Sequence, residues 1–587
     1  MQEQVPLEEH AAEEKLNWLR LATKFSSDGD LKGMRACAQE VERLKAGDVD
    51  AVAVNAEVAL YSGRTDEAET LADQVLRVQP RHPRARIVKA GLAALDFRLD
   101  DEIALLADLI EELSYKEKLL GAEDLSYTIY HQILRRARGW LADALYLAGE
   151  AKGAAHELLM SSRLADDHDE AAELYSKYLF MRNYRYLGAK EGRQKAEVYD
   201  SLLGIVPYTH DTAARSSDRK LRIGYISPDF REHAVSYFLM PFLRHFNGSR
   251  FMVFCYASGR SDAVTERLRT RRVTWRDLRG RSPRTAARLI TEDKIDILVD
   301  LSGHSQDSAL PVMAYRPAPI QVSGIGYTNT TGLRVIDYFL SDEICIPRGD
   351  VSAEAGFTEQ ILRLPHSHLC YAPEEIRAMP ETSYEAPVRR NGYVTFGSFN
   401  NFAKVTDEIL LLWRGILESV RGAKLVIKGK IASIDSGLHF AKKRLSILNY
   451  DLTRVEFRPF SPDYLEQYRD IDIALDTAPY NGGLTTCEAL YMGVPVIALR
   501  GRTHGARFGA SILTNAGVRE LVAENDINYV RRAVQLAESP KLIDGYHAGL
   551  RTSMKKSPLM DIQGYMNALE AAYEEIWKKF CAVQSSS

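Results

Sequence analysis

Four segments of this chain carry side chains able to hold a phosphorylated ligand and activate a group beside it. The first is LDTAPYNGGLTTCEALYMGVPVIALRG, residues 475–501. It reads as a strand ending at Asp476-Thr477, a loop with Asn481, Gly482 and Gly483, and a helix opened by Thr485 and Thr486. Glycines let backbone approach a ligand closely. Threonine hydroxyls and the free N–H groups of a helix start make a seat for phosphate. Glu488, one turn into the helix, can accept from ribose hydroxyls. An ordinary β–α turn with threonine as N-cap uses the same residues, so this segment alone leaves both readings open. The second segment is FGSFNNFAKVTDEIL, 396–410, where Asn400-Asn401 end a strand and Lys404 precedes a helix. A cation at a helix start meets the positive end of the dipole, which is unfavourable unless an anion is present.

The third segment, SPDFREHAVSYF (227–238), puts His233 just past a strand, where histidine can act as base or orient a substrate. A structural histidine is the plainer alternative. The fourth spans 299–332. Asp300 and His304 follow one strand; Gly326, Tyr327, Thr330 and Thr331 follow the next. There is no G-x-G-x-x-G, no G-x-x-x-x-G-K-[ST] and no G-x-S-x-G in these settings, which weighs against dinucleotide oxidoreductases, P-loop NTPases and α/β-hydrolases. The cysteines, Cys37, Cys255, Cys345, Cys370, Cys487 and Cys581, are scattered without C-x-x-C or Cys/His zinc spacing. Asp470 and Asp472 form a D-x-D by chance, and no metal site is expected.

The elements that must position these residues fall into three sections: 1–205, 218–385 and 390–580. The first reads as helix after helix. Within it, AVAVNAEVALYSGRTDEAETLADQVLRVQP (51–80) has a helix, a Gly63 turn, a second helix with Ala68 and Ala72, and Pro80. That is the tetratricopeptide pattern, with Gly29 one period of about 34 residues earlier and Gly149 as a later echo; only the 51–80 copy carries it alone, and a generic helical bundle is the plainer alternative. Stacked hairpins of this kind form a concave surface suited to peptides.

After a polar linker at 216–220, short apolar runs at 221–226, 251–257, 295–303, 320–327 and 335–341 alternate with helices. A Pro- and charge-rich break at 372–392 precedes a second alternation. Its strands are expected at 394–399, 424–429, 455–460, 473–477 and 494–500, and its helices at 406–420, 435–448, 462–469, 485–492 and 506–516. This predicts two parallel-sheet α/β units with ligands at the carboxyl ends of their strands. A last amphipathic helix at 561–580 should fold back across them, and Ser585 to Ser587 read as a disordered tail.

The 587 residues carry 76 basic and 80 acidic side chains, so no global basic field exists to hold nucleic acid. The N-terminal stretch is acidic rather than signal-like, and no apolar run is long enough for a membrane span. A cytoplasmic protein with no nucleic-acid or membrane partner is expected.

Taken in order, RIGYISPDFREHAVSYF, DLSGHS with YRPAPIQVSGIGYTNTTG, FGSFNNFAKVT, and ALDTAPYNGGLTTCEALYMGVPVIALRG with HGARFGAS resemble glycosyltransferase family 41, the family of O-linked N-acetylglucosamine transferase and SPINDLY. The resemblance covers roughly 218–580. It implies a GT-B fold of two Rossmann-like lobes behind a tetratricopeptide-like solenoid. It also implies metal-independent, inverting transfer of a sugar from a nucleotide, UDP-N-acetylglucosamine first, to Ser or Thr of an acceptor protein bound by the helical front and the interlobe cleft. No cofactor is implied.

Carried over residue by residue, Lys404 matches the lysine at the diphosphate, Asn401 a polar position at the nucleotide, and Thr485 and Thr486 the phosphate-holding segment. Glu488 matches the acidic position at the ribose, and His233 the active-site histidine. The place of a histidine near uracil in animal members falls around Tyr464. Asn481-Gly482-Gly483-Leu484-Thr485 replaces their NGHTT and looks closer to bacterial and SPINDLY-like members, which keeps UDP-glucose and GDP-fucose open as donors. Bacterial relatives of this layout suggest flagellin or another surface protein as acceptor. Homo-oligomerisation is left open. Two alternatives remain: an N-glucosyltransferase of the same family acting on Asn, and a repeat scaffold with a degenerate transferase domain.

Overall fold

The computed structural model describes residues 7–121, 124–186, 188–210, 219–383 and 385–585; the linker residues Ser216 to Asp218 and the terminal Ser586 and Ser587 lie outside them. The chain divides into two compact units. One comprises Met1–Tyr178 with Ile434–Lys443, the other Leu179–Ser433 with Arg444–Ser587.

The first unit is built of helical hairpins. They pair α1 (Leu7–Ser27) with α2 (Leu31–Leu44), α3 (Val49–Tyr61) with α4 (Thr65–Val78), α5 (Pro83–Leu95) with α6 (Leu99–Leu119), and α7 (Leu125–Leu147) with α8 (Ala151–Arg163). Gly29, Gly63 and Gly149 take left-handed φ of 72°, 72° and 82° in three of the turns. The fourth turn, between α5 and α6, places Phe97 at φ 55°. A side chain there costs roughly 1–2 kcal/mol, so the α5/α6 hairpin repeats the others without the glycine that marks them. Ala68 and Ala72 of α4 are fully buried against Ala53, Ala56 and Ala59 of α3, which is how the two helices come close. A buried carboxylate, Glu57 of α3, ties its hairpin to the other three through Ser26, Arg84 and Arg136. Burial works to raise its pKa, but the two guanidinium groups outweigh that and pull it down to about 2.

The second unit holds two parallel sheets. The first contains β1 (Leu221–Ser227), β2 (Phe251–Ala257), β3 (Val273–Asp277), β4 (Ile297–Asp300), β5 (Ile320–Ser323), β6 (Tyr338–Asp342) and β7 (Gln360–Leu364), in the order β3-β2-β1-β4-β5-β6-β7. The second contains β8 (Thr395–Ser398), β9 (Lys424–Lys428), β10 (Val455–Arg458), β11 (Ile473–Leu475), β12 (Val496–Leu499) and β13 (Val522–Ala523), in the order β10-β9-β8-β11-β12-β13. The central strands β4, β5, β8, β11 and β12 are buried along their whole length because helices cover both faces.

The strands that the apolar runs did not reveal, β3, β7 and β13, are all edge strands. β3 is only half-buried along its length, so selection for an unbroken apolar run is absent there. The helix expected at 462–469 is instead a short 3-10 turn, Glu466–Asp470. The one expected at 506–516 is a 3-10 turn, Gly505–Arg507, followed by the helix Phe508–Asn515.

The C-terminal helix Ile562–Ser585 returns to the first sheet's lobe. There the Tyr565 ring stacks on Phe242 at 5.9 Å, and the Tyr565 hydroxyl donates to the His368 carbonyl at 2.9 Å. Among the described residues no helix is long and apolar enough to cross a membrane.

Both sheets reverse their winding at one place, between β1 and β4 and between β8 and β11. In such sheets ligands bind at the carboxyl ends of the strands beside the switch point; three candidate segments leave β1, β8 and β11 there, and the fourth runs from β4 past β5.

Candidate active site at two switch points

In the second lobe the chain leaves β8 through Asn400 and Asn401. The Asn401 side chain caps the turn Phe402–Lys404 by accepting from the Ala403 N–H at 3.1 Å. This aims Lys404 across the switch point. Its ammonium donates to the Asn481 carbonyl at 3.3 Å and lies 4.2 Å from the centre of the Tyr480 ring. Burial pushes the Lys404 pKa down to about 8, opposed by the charge of Asp476.

Asp476, at the end of β11, shapes the loop. It accepts from the N–H groups of Thr477 at 2.9 Å and Gly482 at 2.7 Å. Burial lifts its pKa to about 7 against those bonds and the nearby Lys404. The Asn481 side chain is engaged internally: it donates to the Thr477 carbonyl at 2.6 Å and accepts from the Gly509 N–H at 3.2 Å.

Gly482 leaves room that a side chain would take from its neighbours. A β-carbon there would stand 2.5 Å and 2.6 Å from the hydroxyls of Thr485 and Thr486. Those hydroxyls donate to Asn400 Oδ1 at 2.9 Å and to the Gly482 carbonyl at 3.0 Å. Gly483 is the N-cap of the helix Leu484–Tyr491 and offers no side chain, so the first N–H groups of that helix are left for another acceptor. Lys404 and Thr486 thus touch successive carbonyls of one loop.

Glu488, on the same helix, is buried and accepts from the Tyr464 hydroxyl. Burial raises its pKa to about 7, against that bond and the charge of Arg377. Arg377 reaches in from the segment between the lobes. It stacks on Tyr464 at 5.8 Å and engages the Tyr237 hydroxyl of the first lobe. Tyr468 donates to the Thr485 carbonyl at 3.3 Å and stacks on Phe399 at 4.3 Å, closing an aromatic wall around this corner.

In the first lobe His233 is half-exposed past β1, with Nδ1 3.5 Å from Asp229. Burial lowers its pKa and Asp229 opposes that. The residues past β4 and β5 are engaged differently. The Asp300 carboxylate accepts from the N–H and hydroxyl of Ser302, the Gly303 N–H and the Ser323 hydroxyl, all at 2.8–3.1 Å. His304 is buried, contacts the Thr331 carbonyl at 2.8 Å and has its pKa lowered by burial to about 4. Thr330 and Thr331 both donate to Glu359. Gly326 passes so close to Leu301 that a β-carbon would stand 1.8 Å from its carbonyl oxygen. The Tyr327 hydroxyl accepts from Asn183 at 3.2 Å.

Several neighbours of the site were not singled out in the sequence. Phe180 and Tyr184 lie in a stretch that reads as one more helix of the helical front. In the structure they pack on Tyr480 at 6.4 Å and 5.2 Å, beside Lys404. Arg377 falls in the Pro- and charge-rich break, whose composition suggests only a linker. Asp476 was visible as a strand end, but its role needs the position of Gly482.

Two doubly wound lobes with their switch points at one cleft define the GT-B class of glycosyltransferase architecture. The model of glycosyl transferase family 41 matches residues 156–375 and 370–569, and the chain belongs to that family. It is 39% identical over 384 residues to the probable UDP-N-acetylglucosamine–peptide N-acetylglucosaminyltransferase SPINDLY of Solanum lycopersicum, covering 64% of this chain and 40% of that protein. It is 27% identical over 399 residues to the probable UDP-N-acetylglucosamine–peptide N-acetylglucosaminyltransferase SEC of Arabidopsis thaliana, covering 65% of this chain and 40% of that one. The chain therefore spans about two fifths of the length of these curated relatives. Among solved structures, a mutant of the Thermobaculum terrenum O-GlcNAc transferase matches with a TM-score of 0.71 at 26% identity, over 98% of this chain and 99% of the other.

Proposed function

We propose that this chain is a protein O-glycosyltransferase that moves N-acetylglucosamine from UDP-N-acetylglucosamine to a Ser or Thr hydroxyl, with inversion and without a catalytic metal. The observation that carries the reading is the placement of Lys404 and the first N–H groups of the helix Leu484–Tyr491 on one glycine-bearing loop. In the transfer the acceptor oxygen attacks the anomeric carbon, the bond from that carbon to the β-phosphate oxygen breaks, and UDP leaves. Negative charge grows on the leaving diphosphate, and a preorganised cation with aimed N–H donors stabilises it there.

Lys404 neutralises the diphosphate. Gly482 and Gly483 admit it to the backbone, and Thr485 and Thr486 offer it their N–H groups, their hydroxyls being held by Asn400 and the Gly482 carbonyl. Glu488, with Tyr464, takes the ribose, and Asn401 faces the nucleotide. His233 orients the acceptor hydroxyl; no residue is assigned as base. Asp300, His304, Gly326, Tyr327, Thr330 and Thr331 frame the opposite wall. The names of the plant relatives support the donor and a peptide acceptor. The helical unit, with a cavity of about 510 Å³ lined by Arg135, Arg136 and Trp140 among others, is the acceptor-docking surface in this reading.

The test is incubation of the full chain with UDP-N-acetylglucosamine, UDP-glucose or GDP-fucose and candidate acceptors, flagellin first, followed by intact mass and fragmentation. N-acetylhexosamine on Ser or Thr is the expected result. Hexose on Asn would replace this reading with N-glucosyl transfer. A rise in Tm with donor but no transfer to any acceptor would favour a binding scaffold.

A further inference from the structure

Away from the glycine loop, Cys345, His368 and His504 converge on one point. Cys345 follows β6, His368 follows β7, and His504 follows β12 in the other lobe. The thiol sulfur and one ring nitrogen of each histidine all lie within 4.8 Å of one another. The three residues are 0%, 1% and 2% exposed.

The outer ring nitrogens are engaged. His368 Nδ1 lies 2.5 Å from the Asp342 carboxylate. That carboxylate also accepts from the Ile344 and Cys345 N–H groups at 2.9 Å and 2.7 Å, the His368 N–H at 3.1 Å and the Ser511 hydroxyl at 2.8 Å. His504 Nδ1 lies 3.2 Å from the Thr328 carbonyl, which can only accept. Both Nδ1 atoms therefore carry the proton. Both Nε2 atoms turn a lone pair inward, and among the described residues neither has a hydrogen-bond partner.

Two buried lone pairs without a partner are costly, and the thiol beside them has a long contact, 3.7 Å, to the Arg507 carbonyl. A cation removes that cost. Outer hydrogen bonds from His Nδ1 to a carboxylate and a carbonyl are what fix imidazoles as metal ligands through Nε2. Phe339, Phe357 and Phe508 ring His504 at 5.1 Å, 6.2 Å and 5.2 Å, and a water can complete the four ligands that zinc takes.

The geometry points to a Zn²⁺ site formed by Cys345 Sγ, His368 Nε2 and His504 Nε2, fastening the first lobe to the second. Two imidazoles and a thiolate suit zinc over magnesium, calcium or manganese, which favour oxygen donors. On binding, zinc displaces the Cys345 thiol proton, which leaves to solvent. The ion, the thiolate and the Asp342 carboxylate then sum to zero charge. The site also reaches the glycine loop, because the carbonyl of Gly505, next to His504, accepts from the Asn481 N–H at 3.5 Å. Zinc here is a clamp outside the catalytic groups, so its presence does not depend on the proposed transfer.

The test uses the full chain, purified from zinc-supplemented medium, then stripped with a chelator and retitrated with Zn²⁺ or Co²⁺. Expected are close to one zinc per chain by elemental mass spectrometry and a rise in Tm when zinc is returned. Co²⁺ should give a thiolate-to-cobalt charge-transfer band that Cys345→Ala lacks. His504→Asn should lose stoichiometric zinc, and Asp342→Asn should weaken binding roughly 10–100-fold. Wild-type protein that takes up no zinc and shows no Tm shift at micromolar Zn²⁺ overturns the proposal, whether or not the variants fold. Full zinc retention in folded Cys345→Ala and His504→Asn overturns it too, by placing the ion elsewhere.

Discussion

The two lobes share one winding, with β1/β4 and β8/β11 as equivalent switch points, yet they use those points in opposite ways. In the first lobe Asp300, Thr330 and Thr331, past β4 and β5, are held from within, while among the described residues the buried hydroxyls of Ser305 and Thr328 have no partner. Asp300 has four donors, and Thr330 and Thr331 close on Glu359. In the second lobe Lys404 meets a carbonyl and a ring face, and Glu488 meets a tyrosine hydroxyl. Burial moves both pKa values toward neutrality, to about 8 and about 7. One switch point is a framework, and the other keeps ionisable groups ready for a ligand's charge. What separates the two switch points is ionisable groups: Asp300 is held by four donors, whereas, among the described residues, Lys404 and Glu488 each meet only neutral groups at hydrogen-bond distance.

The strongest way to break this contrast is Lys404→Ala. In the proposed transfer, loss of the Lys404 cation should lower kcat by roughly 10²–10³, while Tm stays level or rises because a buried ammonium is removed. Unchanged kcat in a transfer assay would remove the second lobe's claim to the chemistry.

Next come two glycines. Gly326→Ala drives a β-carbon into backbone and should destabilise by about 3 kcal/mol or more, read as a fall in Tm or loss of soluble protein. Gly482→Ala meets only side-chain ends, the hydroxyls of Thr485 and Thr486 and the Asn400 amide oxygen, so its fold should survive while donor no longer raises Tm. Equal melting of the two variants would erase the difference between framework and seat.

Asp300→Asn sharpens the same point at smaller scale. It weakens charge-assisted bonds and should cost roughly 1.5–3 kcal/mol, with KM for donor unchanged below the melting transition. A raised KM at unchanged stability would move Asp300 into the binding machinery.

The smallest effects are pH-dependent. Glu488 has a folded pKa of about 7, above its usual 4.5. The folded state therefore holds the extra proton between those values, and stability falls as pH rises through that window. Glu488→Gln should flatten this part of the Tm–pH curve. Lys404, depressed from 10.5 to about 8, has the opposite slope: its contribution to stability grows as pH rises from 8 towards 10.5. At the same time kcat/KM should decline above about pH 8 as the ammonium is lost. A flat kcat/KM up to pH 10 would contradict the buried-lysine reading.

By itself the sequence determined the helical front, both α/β units and the loops that carry the candidate residues. It did so because turn glycines, central apolar strands and strand-to-helix loops are local signals. Gly29, Gly63 and Gly149 mark their turns, whereas Phe97 hides an equivalent one. Edge strands β3, β7 and β13 escaped because an edge needs no unbroken apolar run. Only tertiary structure decided which polar residues remain available. Asp300 and Glu488 look alike in sequence, and their difference lies in donors brought from 23 residues away at Ser323 and from 24 residues away at Tyr464. The same holds for Cys345, His368 and His504, whose wide separation hides any ligand spacing until two sheets and two lobes fold them onto one point. Secondary structure follows from neighbours along the chain, but electrostatic satisfaction depends on every group that burial brings within a few ångströms.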